Sequence, residues 1–339
     1  MIPLPPAHCV HLKTTSASTG VARVIAFTGE QLAADAENIV ATMGLRPDWP
    51  NLGAISLAHS YGFSNLVLPL LLRGVPLILV SSPLPEALRR AAEGWSALTL
   101  AGVPALWRTW HEARVIPPTV RLAISAGAPL SLEVEEAVFS ASGLKIHNFY
   151  GSSECGGITY DKTELPRQDA AGVGAPMHNI QLSLNDEGCL RVHSRAVGET
   201  YWPEASPALG EGRFQTCDLA ELKDGLVFLC GRLNDQINVA GRKVSPEVIE
   251  SVLRRHPAVR ECVVFGVPCQ QSERGESIVA CVVTEDSNEE SMKQHLLAAL
   301  PPWQVPREWW FVRTLNPNSR GKLSRAECRM EYLSSSRTR

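Results

Sequence analysis

The segment from Gly212 to Pro246 constrains the fold more than any other part of this 339-residue chain. Its first half alternates apolar and polar residues around Asp224-Gly225, a dipeptide typical of the tight turn in a β-hairpin. Its second half ends in Ser245-Pro246, which predicts the cap and first turn of a helix. An acid, Asp218, and a base, Arg232, lie in the same short span. This combination is typical of a junction between two domains where a ligand is held.

The composition excludes several classes of protein. Hydrophobic residues make up 45% of the chain and the net charge is −3, so a nucleic-acid-binding protein is not expected. The nine cysteines are scattered and never spaced CxxC, which indicates reduced thiols and a cytoplasmic protein. The start of the chain lacks the apolar core of a signal peptide. The apolar run Leu66–Val80 is broken by prolines, an arginine and a glycine, so we expect a buried helix leading into a buried strand and no membrane span.

Strand-like and helical segments alternate between Gly53 and Phe149. Helices are predicted at Pro83–Glu93 and Ser131–Ser142, between strands at Ala54–Leu57, Leu77–Val80, Ala97–Leu100, Leu122–Ser125 and Lys145–Phe149. The pattern predicts the α/β class with a mostly parallel sheet. Ligands of such sheets bind beyond the carboxyl ends of the strands. Three loops are expected there: His59–Phe63, Gly127–Pro129 and Tyr150–Glu154.

Two further stretches carry chemistry. The residues from Thr14 to Val24 combine small hydroxylated side chains, a glycine and Arg23, which suits a loop that binds phosphates but is also common in solvated turns. Near the end of the chain, Lys322 follows a glycine, an arrangement that in isolation is usually a surface turn.

Taken in order, these motifs resemble those of the AMP-forming acyl- and aryl-CoA ligases of the adenylate-forming superfamily. Four stretches carry the resemblance, which extends from about Lys13 to Arg325: TTSASTGVAR resembles TSGTTGxPK, YGSSE resembles YGxTE, the segment from Gly212 resembles GxFxTGDxxxxDxDGxxxxxGRxxDxI, and NPNSRGKLSR resembles PxxxxGKxxR. Departures are Ala17, Ala22 and Arg23 in the first stretch and Cys217 in the third. We expect Cys217 to be a small buried filler rather than a nucleophile.

The resemblance implies ATP-dependent activation of a carboxylic acid to acyl-AMP, followed by transfer to the thiol of coenzyme A. The stretch Ser56–Ser64 contains no acid, so an amino-acid ammonium would be unpaired and a fatty or aryl acid is expected. Two alternatives stay open: acyl transfer to the phosphopantetheine of a carrier protein, and a degenerate scaffold that binds nucleotide or acyl ligands without turnover. ATP, Mg²⁺ and coenzyme A or carrier phosphopantetheine are the implied cofactors.

The same resemblance implies residue roles. Lys322, Glu154, Ser153 and Arg232 are the expected catalytic residues, with Glu154 holding Mg²⁺. His59, which the residues alone would favour as a core histidine, is placed by the resemblance at the acyl pocket with Tyr61, Phe63 and Gly156. Asn234 is the expected hinge, and Val239, Ala240 and Gly241 the thiol tunnel. ATP and AMP are expected to bind Ser16, Ser18, Thr19, Gly20, Arg23, Gly127, Ala128, Pro129, Asn148, Tyr150, Gly151, Asp218 and Arg232.

The resemblance also implies the domain organisation. Residues 1–233 are expected to form a shortened N-terminal domain, with an α/β core at 14–158 and a β-rich part at 159–233. Residues 234–339 are expected to form a small, mobile C-terminal α+β domain beyond the hinge. Relatives of this kind carry a large portion before the phosphate loop, whereas only about a dozen residues precede it here. Apolar faces near Gly62–Leu72 are therefore expected to be covered by a second copy, in a homodimer, or by a complementing subunit.

Overall fold

The structure is a computed structural model of the chain and describes residues 4–15, 23–268, 275–285, 288–315 and 324–336. The described residues form two compact units. The first contains those up to Thr216 together with Ala220–Leu229, and the second contains Cys217–Leu219 and those from Cys230 onward. Within these ranges no helix is both long enough and apolar enough to cross a bilayer.

The first unit begins with a hairpin that leads into a helix. Strand β1 (Cys9–Thr14) pairs antiparallel with β2 (Val24–Thr28), and α1 (Gly29–Met43) follows directly. Thr28 caps this helix, because its hydroxyl accepts from the Gln31 amide while the Gln31 side chain accepts from the Thr28 amide. This reciprocal pair fixes where the helix starts.

A seven-stranded sheet with helices on both faces follows, as the α/β prediction requires. Its strands are β3 (Asn51–Gly53), β4 (Leu77–Leu79), β5 (Leu98–Gly102), β6 (Val120–Ser125), β7 (Ile146–Ser152), β8 (Gly156–Tyr160) and β9 (Ala175–Pro176), in the order β4-β3-β5-β6-β7-β8-β9. The first five in this order are parallel, and β8 and β9 are antiparallel to their neighbours. The helices are α2 (Ser60–Gly62), which continues through a π-helical segment (Phe63–Val67) into α3 (Leu68–Arg73), then α4 (Pro85–Ala91), α5 (Pro104–Glu112) and α6 (Leu132–Ser142). Alternate residues of β6 belong to different hydrophobic cores, with Leu122 and Ile124 on one face and Ala123 on the other.

Two predictions for this region are wrong in detail. The first strand is Asn51–Gly53, not Ala54–Leu57, because the Ala54 amide bonds the Leu52 carbonyl at 3.0 Å and bends the chain away from the sheet. The apolar run after Leu66 forms the predicted helix and strand, but it is not buried throughout. Leu71 and Leu79 are each 70% exposed, since β4 is the edge strand and nothing described here covers the outer face of α3.

The β-rich part completes the first unit. It contains β10 (Gln181–Leu184), β11 (Cys189–His193), β12 (Thr200–Trp202), which joins the sheet of β1 and β2, β13 (Leu209–Gly210), β14 (Arg213–Lys223) and β15 (Leu226–Arg232). Strands β14 and β15 form the predicted hairpin. Its two turn residues, Asp224 and Gly225, have φ values of +52° and +77°, the left-handed pair that this tight turn requires.

The second unit is an α+β fold. Its elements are a hairpin of β16 (Ile237–Val239) and β17 (Arg242–Val244), α7 (Pro246–Leu253), β18 (Val259–Pro268), β19 (Glu276–Thr284), α8 (Glu289–Ala299), β20 (Glu308–Val312) and α9 (Arg325–Ser336). Strands β18, β19 and β20 form one sheet in that order. Helix α7 starts where predicted, but the Ser245 hydroxyl donates to Glu247 at 2.6 Å and makes no capping bond.

Candidate active site

The three predicted loops lie at one edge of the seven-stranded sheet. Each follows the carboxyl end of a parallel strand: His59–Phe63 after β3, Gly127–Pro129 after β6, and Tyr150–Glu154 at the end of β7. The Ser60 hydroxyl donates to the Ser153 hydroxyl at 2.8 Å, which joins the first loop to the third. The Tyr61 hydroxyl donates to the Ile124 carbonyl of β6 at 3.2 Å. The structure therefore brings the first of these loops into contact with the third and with β6.

Glu154 lies in a polar cluster that includes a residue the sequence did not identify. The Tyr201 hydroxyl donates to Glu154 Oε1 at 3.1 Å, and the Arg23 guanidinium lies 4.8 Å from the Tyr201 ring centroid. Burial, together with the neighbouring Glu154 carboxylate, raises the pKa of Tyr201. Tyr201 thus contacts both Arg23, the predicted cation of the phosphate loop, and Glu154, the predicted metal ligand. Only the Tyr-Trp pair at the end of β12 marks this position in the sequence, and it does not specify a partner 47 residues away.

The donor set at Glu154 suits Mg²⁺ bound together with a nucleotide. Within the described ranges no group of three His, Cys, Asp or Glu side chains is arranged to hold a metal on its own. Glu154 is partly exposed at the loop, so a single carboxylate is presented at the edge of the sheet. Mg²⁺ typically takes one or two carboxylates plus phosphate oxygens and water, rather than a cage built entirely by the protein. The residues present therefore fit such an ion.

The predicted acyl-pocket residues differ in their surroundings. His59 caps α2 through Nδ1, which accepts from the Tyr61 amide at 3.3 Å. Tyr61 is only 8% exposed and packs in the core, whereas Phe63 is partly buried and stacks on His11 with ring centroids 4.2 Å apart. The space beside Gly156 is already filled, because a Cβ there would lie 2.0 Å from Asp35 Oδ1. Gly156 therefore packs against a buried carboxylate on the side where a Cβ would be, and its place at the acyl pocket stays a prediction.

The predicted nucleotide residues of the first unit are divided between exposed and buried positions. Gly127, Ala128, Pro129 and Gly151 are exposed, and Tyr150 is partly buried against the core. Asn148 is buried and its amide donates to the Gly172 carbonyl at 3.3 Å, so its side chain serves the β-rich part of the fold. Ser16, Ser18, Thr19 and Gly20 lie outside the described residues.

A buried charged group behind the loop was not predicted. Lys13 on β1 and Asp35 on α1 are 5% and 2% exposed, and Lys13 Nζ lies 3.8 Å from Asp35 Oδ2. Ser64, in the π-helical segment, bonds both residues. The sequence contained two signals of this buried pair. One is a lysine in a strand that otherwise alternates, and the other is an acid on the buried face of α1.

The second unit holds the remaining predicted residues. Arg232 Nε donates to Asp218 Oδ1 at 2.8 Å, so the acid and base predicted to bind the nucleotide are paired with each other. The Asn234 amide lies 3.5 Å from the Cys217 sulfur. Cys217 is exposed, so the prediction of a buried filler is wrong: β14 directs this side chain outward, between buried Thr216 and partly buried Asp218. Lys322 lies outside the described residues.

The predicted thiol-tunnel residues form the turn between β16 and β17. Ala240 and Gly241 have φ values of +51° and +82°, and the Gly241 amide donates to Asn238 Oδ1 at 3.0 Å. Val239 is partly buried at the end of β16, while Ala240 and Gly241 are exposed. The three residues therefore form the tip of the hairpin of β16 and β17.

Comparison with known proteins identifies the family. The family model described as AMP-binding enzyme matches residues 2–209, and the model of its C-terminal domain matches residues 248–322. The chain belongs to the AMP-binding enzyme family. This confirms the resemblance read from the four motifs.

Curated members of the AMP-binding family give the same result. A probable 2-succinylbenzoate–CoA ligase of Mycobacterium tuberculosis is 28% identical over 331 residues, covering 92% of this chain and 82% of the relative. A feruloyl-CoA synthase of an Amycolatopsis species is 26% identical over 343 residues, covering 95% and 69% respectively.

Solved structures confirm the predicted fold. ATP-bound MatB from Rhodopseudomonas palustris superposes with a TM-score of 0.84 at 22% identity, covering 95% of this chain and 67% of its own. The o-succinylbenzoate CoA synthetase of Bacillus subtilis, in complex with its acyl-adenylate intermediate, gives 0.85 at 21% identity, with 94% and 68% covered. At these identities the likeness concerns the fold alone.

Proposed function

We propose that this member of the AMP-binding enzyme family activates a fatty or aryl carboxylic acid with ATP and transfers the acyl group to the thiol of coenzyme A. The observation that supports the proposal is the hydrogen bond between Ser60 and Ser153, which joins the predicted acyl stretch to the loop containing Glu154 at the carboxyl edge of the sheet. The names of the relatives, CoA ligases of succinylbenzoate and ferulate, support this reaction class.

The chemistry has two half-reactions. A carboxylate oxygen of the acid attacks the α-phosphorus of ATP, and the bond to the bridging oxygen breaks, so that pyrophosphate leaves with the electron pair. The thiol sulfur then attacks the acyl carbon, the carbon–oxygen bond to AMP breaks, and the thiol proton is lost. Both steps bring negative groups together, so preorganised cations and hydrogen-bond donors are the main expected source of rate.

The first half-reaction is assigned to residues near Glu154. Ser153 and the loop containing Ser16, Ser18, Thr19 and Gly20 would bind phosphates, with Arg23 contributing charge. When bound, Mg²⁺ would neutralise the triphosphate, and Glu154 is the residue that would hold it. Lys322 would bridge the substrate carboxylate and the phosphate.

The remaining nucleotide contacts are assigned to the adenosine. Asp218, oriented by Arg232, would accept hydrogen bonds from the ribose hydroxyls, while Tyr150 would stack on adenine beside Gly151 and the Gly127–Pro129 loop.

The second half-reaction is assigned to a rotation about Asn234. We place the division between the two domains here, with residues 1–233 on one side and 234–339 on the other. Rotation would withdraw Lys322 and bring Val239, Ala240 and Gly241 to the acyl-AMP, where their hairpin tip would guide the thiol. Domain movement about a hinge of a few residues is a common motion in enzymes, and it can complete a catalytic site.

An amino acid is an unsuitable substrate. An α-ammonium needs an acid in the substrate pocket, and the stretch Ser56–Ser64 has none. Asp35 bonds Ser64 in this region, but it already neutralises Lys13. An ammonium bound beside this stretch would therefore stay unpaired, at a large energetic cost.

Exchange of labelled pyrophosphate into ATP, measured across a panel of fatty and aryl acids, tests the proposal. Exchange with one class identifies the acid, and subsequent discharge to coenzyme A or to a carrier phosphopantetheine separates the two thiol acceptors. Absence of exchange with every acid, in a protein that still binds ATP, would favour the non-catalytic scaffold.

We further propose that a second copy of the chain, or a complementing subunit, covers exposed apolar side chains on and near α3, namely Leu70, Leu71, Leu72, Leu79 and Leu84. These side chains are between 38% and 70% exposed, and extended apolar surface commonly marks an interface. We also propose a cytoplasmic location, which the scattered cysteines, never spaced CxxC, support.

A further inference from the structure

The pair of Lys13 and Asp35 lies directly behind the segment that carries Glu154. Both side chains are only 3% exposed. Lys13 Nζ donates to the Ser64 hydroxyl at 3.2 Å, and that hydroxyl donates to Asp35 Oδ2 at 2.6 Å. The ammonium also lies 4.5 Å from the Phe27 ring centroid. Strand β1, helix α1 and the π-helical segment therefore meet in one buried polar group.

Asp35 continues from this group to the Glu154 segment. Its Oδ1 accepts from the Gly157 amide at 3.2 Å. Gly156 has a φ of +69° and no room for a side chain, since a Cβ would lie 2.0 Å from the same oxygen. The backbone immediately after Glu154 is thus fitted against one carboxylate. Each of the two glycines makes a separate contact with it.

Packing alone does not explain a charged pair here. Removing two charges from water is costly, and apolar side chains of similar volume are often at least as stabilising. A carboxylate provides what apolar groups lack: directional acceptors for the Ser64 hydroxyl and the Gly157 amide together. A π-helical segment, which supplies Ser64, is itself uncommon and frequent near functional sites.

We propose that Lys13, Asp35 and Ser64 are positioning residues that hold the Ser153–Gly157 segment, and with it Glu154, in the orientation that binds the magnesium–triphosphate end of the nucleotide. The inference rests on the role proposed above for Glu154. Lys13 neutralises and orients Asp35, Ser64 fixes the distance between them, and Asp35 bonds the segment. None of the three needs to touch a substrate.

Two double variants that differ only at residue 35 test the proposal. Lys13→Met/Asp35→Asn removes both charges but keeps an acceptor for the Gly157 amide, and Lys13→Met/Asp35→Ala removes the acceptor as well. Neither leaves a buried charge without its partner. Hydrogen exchange of the Ser153–Gly157 amides is measured without ligand. Calorimetry then measures the affinity for ATP with Mg²⁺ and, separately, for AMP without metal.

We expect the alanine double variant to exchange these amides faster and to bind magnesium–ATP roughly tenfold or more weakly, the usual effect of losing a group that orients a metal ligand. AMP affinity should be unchanged, and the asparagine double variant should resemble the wild type. Three results would overturn the inference. They are equal exchange in the two variants, exchange that rises evenly across the whole first unit, and unfolding of both variants. If the wild type itself binds no magnesium–ATP, the proposed function fails, while the exchange comparison still decides whether Asp35 holds the segment.

Discussion

Arg325 offers the sharpest test of how the second unit is held together. Its guanidinium bonds the Val264 carbonyl at 2.8 Å and forms ion pairs with Asp235, Glu247 and Glu250, at 2.5, 3.0 and 2.9 Å. The arginine side chain is 21% exposed and that of Glu250 only 5%. Arg325→Met would keep much of the apolar stem while leaving three carboxylates close together without their common cation.

Removing one partner of a buried ion pair typically lowers the free energy of unfolding by about 3–5 kcal/mol. Because Arg325 is partly exposed, we expect a loss at the lower end, about 3 kcal/mol in the free energy of unfolding of the second unit. For a unit of this size the melting temperature should fall by roughly 10–15 °C. Scanning calorimetry of the full chain measures it.

Arg254→Met is the matched control. Arg254 pairs with the same Glu250 at 3.1 Å, but its side chain is 43% exposed and this is its one ion pair among the residues that the structure describes. A surface pair of this kind contributes about 1 kcal/mol or less. If both variants lose the same stability, the interpretation of Arg325 as the centre of this network is refuted.

The stability that Arg325→Met loses should also depend on pH. Burial raises the pKa of Asp235, although Arg325 opposes the effect. An acid with a raised pKa in the folded state contributes stability at low pH, and that contribution is lost as pH rises through the folded pKa. Without Arg325 that pKa rises further, so the variant should lose less stability near pH 5 than at pH 8. An equal loss at both values would contradict this account.

Three further predictions concern function and assembly. Lys322→Ala should abolish most pyrophosphate exchange while supplied acyl-AMP is still converted to thioester, because the lysine serves only one half-reaction. Equal loss of both activities would refute the proposed rotation between two domain arrangements. Asp218→Ala should weaken AMP binding by about 1.5–3 kcal/mol, or tenfold to over a hundredfold, when measured by calorimetry. Unchanged affinity would place the ribose elsewhere. In sedimentation at micromolar concentration the chain should be a dimer and Leu71→Glu a monomer, whereas an active wild-type monomer would rule out the covered apolar face.

Local sequence signals predicted much of the fold. Asp224-Gly225 specifies its hairpin because both residues accept positive φ. The alternation of strands and helices places the three loops at one edge of the sheet, since parallel strands end together. The Ser245-Pro246 pair marked the start of α7 correctly.

Contacts between distant residues could not be predicted in the same way. Lys13 and Ser64 are 51 positions apart, and nothing near either residue indicates the other. Tyr201 reaches Glu154 only because β12 joins the sheet of β1 and β2. The Ser245 hydroxyl bonds the Glu247 carboxylate, two residues away, instead of the amides of the helix. Which of these bonds forms depends on how neighbouring residues hold Glu247.

The exposed thiol of Cys217 allows a spectroscopic label to be attached beside the proposed hinge. Among the described cysteines it is the one classed as exposed, and its sulfur lies 3.5 Å from the Asn234 amide. A maleimide fluorophore or nitroxide would therefore attach beside the hinge of the natural sequence, without an engineered site. Its emission or line shape, followed as ATP, acid and coenzyme A are added in turn, would time the rotation against each half-reaction in a single sample.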